Sequence, residues 1–286
     1  NTCSDGQFCN GLEVCQGGAC QPGVAPDCSD GDLCTIDACD ELNDVCTHTL
    51  SINIVVNLEI QGLANAVTRD VDFLLTDCEG TSWVASAPVA FSAAGTGTAQ
   101  IPVADTSADW VQIIEGHTLA RLLPVTFTGC TATVNAVGTD RLLAGDFSNH
   151  QWVPQDNLVD IQDFAILSVY WEQAVDANLG TQADADGDGM QDVDDFYAIQ
   201  SNFGDIGEEA EDCPALPLQG STPAPRIEVA VAELPMPNAH RADLNNDGWV
   251  DTRDIVQFAA EKRLTLTPQF RAKLERLERK EAQFRR

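Results

Sequence analysis

Twelve residues, Asp184-Ala-Asp186-Gly-Asp188-Gly189-Met190-Gln-Asp192-Val-Asp194-Asp195, put carboxylates at positions 1, 3, 5, 9 and 12 of one short loop, with glycine at position 6. So many like charges repel one another unless a cation takes them up, and that requirement constrains the fold more than any other stretch of the chain. A calcium ion accepts about six to eight hard oxygens, and alternate residues of a tight loop converge on it. Gly189 supplies the sharp turn, and Met190 offers its backbone carbonyl. The pattern returns complete in Asp243-Leu-Asn245-Asn-Asp247-Gly248-Trp249-Val-Asp251-Thr-Arg-Asp254.

A third copy is interrupted. Asp156, Leu158, Asp160 and Asp163 fit positions 5, 7, 9 and 12, while Asp146 and Ser148 fit positions 1 and 3 across a six-residue insertion. Each copy runs into an apolar helix opening, Asp163-Phe-Ala-Ile-Leu167, Asp195-Phe-Tyr-Ala-Ile199 and Asp254-Ile-Val-Gln-Phe258. These loops follow the EF-hand spacing, and as loop-then-helix units with Asp at position 12 they resemble type I dockerin modules. The resemblance covers 145–205 as a pair and a lone third unit at 241–262, and it implies Ca2+ as the bound ion and a cohesin-like partner.

Eight of the eleven cysteines (Cys3, Cys9, Cys15, Cys20, Cys28, Cys34, Cys39 and Cys46) fall within the first 46 residues. They form two sets of four, with Cys3-Ser-Asp-Gly-Gln-Phe-Cys9 returning as Cys28-Ser-Asp-Gly-Asp-Leu-Cys34. A segment with so few apolar residues needs cross-links in place of a core, and four disulfides are expected, their pairing left open. The spacings miss the C-x2-C knuckle of a zinc site. Asp27, Asp30, Asp32 and Asp37 are read as a solvated acidic loop, with an extra cation site as the alternative. Cys78 and Cys130 lie at apparent strand ends and are expected to pair, which leaves Cys213 over. This density of cysteine points to an oxidising compartment, so the chain is read as secreted, extracellular or at the cell surface. A start at Asn1 with no Met reads as a processed product.

From Ile52 through Ile54, Val56, Leu58 and Ile60 apolar residues alternate with polar ones, and Val71, Phe73 and Leu75 repeat the period of two. Further β-rich runs at 88–93, 98–103, 110–114, 118–123, 125–128 and 131–137 predict an antiparallel β-sandwich of seven or eight strands. Trp83 and Trp110 are the aromatics such a sandwich has for binding polysaccharide. The predicted fold is therefore multidomain and mainly β: a disulfide-rich module at 1–48, a β-sandwich at 49–143, a calcium-binding pair at 144–206, a Pro-rich linker at 207–240, a third loop-helix at 241–262 and a basic amphipathic helix at 263–286. Within the linker, Ile227, Val229 and Val231 alternate and predict a strand that closes an edge of the sandwich, the alternative being that it extends the sheet of a neighbouring molecule.

Charge is divided unevenly. Nine of fifteen basic residues lie in the last 25 positions, so the tail carries +6 and the first 261 residues −36. A body that acidic repels phosphate, which excludes nucleic acid as a partner of the bulk. No run approaches the ~20 apolar residues of a membrane span. Thr267-Pro268 starts the tail helix, where Phe270, Leu274, Leu277 and Phe284 form one stripe that docks on an acidic surface, its own or a neighbour's. His48, His117, His150 and His240 are scattered and no catalytic pair stands out among 45 acids, so an enzyme is not expected. The expected function is a calcium-binding structural protein that assembles head to tail into a filament or layer, a homo-oligomer through residues 263–286. The alternative is an adhesion module docking onto a protein or polysaccharide.

Overall fold

The structure, a computed structural model, describes residues 6–77, 82–148, 155–176, 183–209, 226–234 and 236–284. The fold is mainly β, built from several antiparallel sheets with helices gathered towards the C-terminus. Two compact units divide it: residues 1–55 with 100–107 and 126–133, and residues 56–99 with 108–125 and 134–286.

In the first unit, β1 (Val14–Gln16) and β2 (Ala19–Gln21) make a hairpin turned by Gly17 and Gly18, both at positive φ, as a tight two-residue turn requires. A second hairpin joins β3 (Thr35–Asp40) to β4 (Val45–Leu50), with Cys39 opposite Cys46. Leu12 and Leu33 are 90% and 95% exposed, so this segment has no burial to hold it and cross-links do that work. Disulfides join Cys9 to Cys39 and Cys28 to Cys46, and Cys20 is also disulfide-bonded. The first of these runs from one cysteine set into the other.

Cys130 bonds Cys34, not Cys78 as expected from the strand ends. The backbone explains the choice: Ser51 N–H donates to the Cys34 carbonyl at 2.8 Å and Asn53 N–H to the Cys130 carbonyl at 3.0 Å, so both cysteines flank the start of β5 (Ile52–Glu59). Cys3, Cys78 and Cys213 lie outside the described residues. The Cys34–Cys130 bridge spans 96 residues of sequence, and replacing both cysteines by serine is expected to cost about 2–5 kcal/mol. Urea unfolding of the C34S/C130S chain checks this, since an unchanged midpoint contradicts it.

Eight strands form two four-stranded sheets. One has the order β10 (Arg121–Pro124), β9 (Trp110–Glu115), β6 (Val67–Thr76), β7 (Ser82–Phe91). The other has the order β11 (Phe127–Thr128), β12 (Thr131–Ala136), β5, β8 (Thr96–Val103). Along β5 the alternation buries Ile52, Ile54, Val56 and Leu58 and leaves Asn53, Val55, Asn57 and Glu59 partly exposed.

Helices α1 (Ile161–Tyr170), α2 (Val193–Asn202), α3 (Thr252–Lys262) and α4 (Pro268–Phe284) share one core with each other. Phe258 of α3 is its hub, edge-on to Phe164 at 5.3 Å and to Trp171 at 4.8 Å, with Phe196 at 6.2 Å. The third loop-helix unit is thus packed into the first two. The stripe of α4 closes the same core on its own chain: Phe270 and Leu274 are buried, and Phe270 meets Phe203 at 5.5 Å and Phe196 at 6.5 Å. Among the described residues no helix is long and apolar enough to cross a membrane.

The strand expected at the sandwich edge pairs elsewhere. β13 (Glu228–Ala230) runs antiparallel to β14 (Trp249–Asp251), the second half of the third aspartate loop, with Val229 opposite Val250 and both buried. Extended loop backbone offered a free ladder edge next to an apolar core, and the short Val-containing strand filled both needs.

Candidate metal centres

All three aspartate loops are built on one hydrogen-bond template. The N–H of position 2 donates to Oδ1 of the position 12 aspartate: Phe147 to Asp163 at 2.6 Å, Ala185 to Asp195 at 2.6 Å, Leu244 to Asp254 at 2.9 Å. The N–H of position 9 donates to the other oxygen of the same carboxylate: Asp160 to Asp163 at 2.6 Å, Asp192 to Asp195 at 2.7 Å, Asp251 to Asp254 at 2.9 Å. Each position 9 aspartate caps its helix in return, so the pair forms a capping box at the start of α1, α2 and α3. These bonds fix the register of the interrupted loop, because Phe147 takes the place of Ala185 and Leu244. Asp146 therefore stands at position 1, as the six-residue insertion requires.

Position 6 has positive φ in every loop, at Asn157 (62°), Gly189 (85°) and Gly248 (90°). Asn tolerates the left-handed region where glycine is missing. The first two loops also exchange bridges: Leu158 pairs with Ile206 beyond α2, and Met190 with Ala174 beyond α1. Ligand and bridge positions of these two units repeat at an offset of 32 residues, from Asp160 and Asp192 to Ala174 and Ile206. They are the symmetric pair, and the third loop is completed by β13 instead.

The side chains fit a hard cation. In the second loop, oxygens of Asp184, Asp186 and Asp195 all lie within 4.8 Å of one another. Burial pushes the Asp195 carboxyl up to about 8, and the charges of Asp184 and Asp186 add to it. Asp188 and Met190 complete the turn through the Met190 N–H to Asp188 bond of 2.7 Å. In the first loop Asp146 is 1% exposed and neither of its carboxylate oxygens has a hydrogen-bond partner. Burial, and then Asp156, hold its carboxyl far above the ordinary range. Asp160 is pushed up to about 6 chiefly by burial, and Asp163 is raised for the same reason with Asp146 and Asp160 contributing. A buried carboxyl without a partner, as at Asp146, is the condition a bound divalent ion relieves. Ser148 is buried beside them.

The third loop is already partly satisfied. Asp243 accepts from Asp247 N–H at 3.1 Å and Gly248 N–H at 2.8 Å, and Asn245 accepts from Asp247 N–H at 2.9 Å. Asp254 is raised by burial, while the Arg253 guanidinium lies against Asp247 and Asp251. Trp249, at position 7, is 41% exposed.

Several residues at these centres carried little signal in the sequence. Arg69, Glu115 and His117 form a buried trio, with Arg69 Nη1 3.4 Å and His117 Nδ1 2.8 Å from Glu115 Oε1. Arg69 Nη2 donates to the carbonyls of Asp184 at 2.7 Å and Ala185 at 3.2 Å, tying the sheet to the second loop. The one trace of this was a lone Arg in the inward register of β6, between Val67 and Val71. Gln155 Nε2 donates to the carbonyls of Glu115 at 2.9 Å and Thr118 at 2.6 Å beside the first loop.

Other expected features resolve differently. In β6 Leu75 faces Trp83 across one ladder and Thr76 faces Trp110 across the other, so the two tryptophans lie on opposite faces of the sheet and make no shared platform for a sugar. In the head, Asp27, Asp30 and Asp32 cap local turns through the N–H groups of Ser29, Asp32 and Cys34. Asp37 and Asp30 meet His48 Nδ1 at 2.7 and 3.5 Å, and the Asp37 hydrogen bond raises the imidazole's pKa. His150 lies outside the described residues.

No protein-family model and no curated protein matches this chain. Among solved structures, a C-terminal interface mutant of a type II cohesin–X-dockerin complex from Acetivibrio cellulolyticus is similar at 15% identity and a TM-score of 0.38, over 55% of this chain and 97% of the matched one. An N-terminal interface mutant of such a complex from the same organism gives 16% identity and a TM-score of 0.36 over the same shares. Likeness at this level assigns neither partner nor activity.

Proposed function

We propose that this chain is a calcium-binding docking or adhesion module of the cell exterior, in which Ca2+ holds the C-terminal helical core together. The observation that carries the reading is the shared template of the three loops, with the oxygens of the buried Asp146 left without a hydrogen-bond partner and those of Asp184, Asp186 and Asp195 gathered within 4.8 Å of one another. Asp184, Asp186, Asp188, Asp192, Asp195 and the Met190 carbonyl would hold one ion, and Asp243, Asn245, Asp247, Asp251, Asp254 and the Trp249 carbonyl another. Asp146, Ser148, Asp156, Asp160, Asp163 and the Leu158 carbonyl make the third set. The ion supplies charge neutralisation and nothing redox. The disulfides fit an extracellular setting.

A docking role is favoured over a head-to-tail filament because Phe270 and Leu274 of α4 are already buried on their own chain. Calorimetric titration of chelated, dialysed full-length chain tests the metal reading. Two or three Ca2+ per chain are expected, with D195N and D254N each losing one. No uptake, or uptake that neither variant changes, refutes it.

A further inference from the structure

Position 11 sets the three loops apart: it is Gln162 in the first, Asp194 in the second and Arg253 in the third. Gln162 donates its amide to Asp156 Oδ2 at 2.8 Å, a neutral contact on an oxygen that Arg226, from outside the loop, approaches at 3.6 Å. Arg253 instead lays a full positive charge across its loop. Its Nε donates to Asp251 Oδ1 at 3.1 Å and Oδ2 at 2.9 Å, and one Nη bonds Asp251 while standing 2.6 Å from Asp247 Oδ2. Asp247 and Asp251 are positions 5 and 9, two of the groups a calcium ion would claim.

We infer that Arg253 is a built-in competitor for calcium, a tethered cation that neutralises the third loop when the ion is away and sets that loop's affinity below that of the second. This rests on the calcium reading of the loops. The planar fork matches the two carboxylates as a bound ion's oxygens would be matched, so the metal-free loop keeps its shape, and β14 its partner strand β13. Calcium entry must then break the Asp247 contact and leave two positive centres a few ångströms apart. At the same place the second loop has Asp194, which adds negative charge. The chain would thus hold one tight site and one that fills only at higher calcium, next to the segment that follows the Pro-rich linker.

The probe is Ca2+ itself, titrated into the chelated full chain. Trp249 sits inside the third loop and its emission reports that site, with W249F identifying its share of the signal. In the wild type the Trp249 transition is expected at about tenfold higher free calcium than uptake by the second loop, which calorimetry on the D163N/D254N chain isolates. R253Q is expected to move the Trp249 midpoint about tenfold lower, and R253K, charged but without the fork, to stay nearer the wild type. Folding is not at stake, because Arg253 is an exposed position and its backbone N–H keeps the Asp251 cap. A midpoint in R253Q equal to or above the wild type overturns the inference alone. Absence of calcium uptake by the wild type overturns it together with the reading it rests on.

Discussion

Chelating calcium from the full chain is expected to lower its thermal unfolding midpoint by roughly 15–30 °C and to reduce its helical circular dichroism. A ligand held at about 1,000 times its dissociation constant stabilises by ~4 kcal/mol and one at about 100 times by ~2.7 kcal/mol, so the second loop and the tenfold weaker third contribute ~7 kcal/mol. Each kcal/mol moves the midpoint of a chain this size by about 2–4 °C. The effect is concentrated in the helical core because the position 12 aspartates start α1, α2 and α3, and the helices meet at Phe258. An unchanged midpoint in chelator contradicts the calcium reading.

The same experiment has a sign in pH. Burial raises Asp195 to about 8, and Asp146 and Asp163 are raised too, burial being the largest cause in each. In the chelated chain the folded state then holds more protons than the unfolded state from the ordinary carboxylate range up to about pH 8. Its stability is therefore greatest at the acid side of that window and is lost as pH rises through it. The loaded chain behaves oppositely, since protons compete with the ion for the same oxygens. Melting curves with and without chelator should separate progressively from pH 5 to pH 8. Parallel curves would show that these carboxylates are not the ligands.

How much of this was legible follows from what each signal reports. Carboxylate spacing is a local code, so loop register, the position of Asp146 and the helix openings at Asp163, Asp195 and Asp254 were readable from residue order, the helices starting two residues earlier, at 161, 193 and 252, where the position 9 aspartates cap them. Strand alternation is equally local, and Ile52 to Leu58 fall inward as the period of two demands. Pairing is not local. Nothing in the sequence distinguishes Cys34 from Cys78 as the partner of Cys130, because the decision is made by the hydrogen bonds of Ser51 and Asn53 at the entry to β5. The strand at 228–230 read correctly as a strand, yet its partner was a loop edge and not the sandwich. The Pro-rich stretch made the third unit look separate, whereas Phe258 needs Phe164, Trp171 and Phe196 to bury its ring.

Replacing Arg69 by methionine is expected to cost about 3–5 kcal/mol and to weaken calcium binding by the second loop, a consequence no domain-by-domain view of the chain contains. Arg69 is 7% exposed and Glu115 2%, so removing the guanidinium leaves a carboxylate, in a place water does not reach, with the His117 contacts alone. Burial works to raise Glu115, but the charges of His117 and Arg69 and the hydrogen bonds of His117 overcome it and hold the carboxyl down at about 2. That stabilisation is fully present above the usual glutamate pKa and disappears as pH falls towards 2, so the wild type and R69M should converge in acid. Arg69 also carries the carbonyls of Asp184 and Ala185, and the N–H groups of Ala64 and Asn65 hold the Asp186 carbonyl at 3.0 and 3.1 Å, so the loop that would hold the ion is clamped by the sheet. Leu63 and Val67 press on Gly187 closely enough that a Cβ there would come within 2.9 Å of Leu63 Cδ1, which leaves the loop no room to drift on that side. Without Arg69 the loop retains those contacts but loses its charged anchor, and a fall of about tenfold in calcium affinity is the expected reading in calorimetry. The double variant R69M/E115Q decides the mechanism. If the cost is that of a stranded charge, the double variant is more stable than R69M alone, because a neutral amide in that site is the smaller penalty. If it is equally or less stable, Arg69 acts by packing, and the electrostatic link between sheet and loop is wrong.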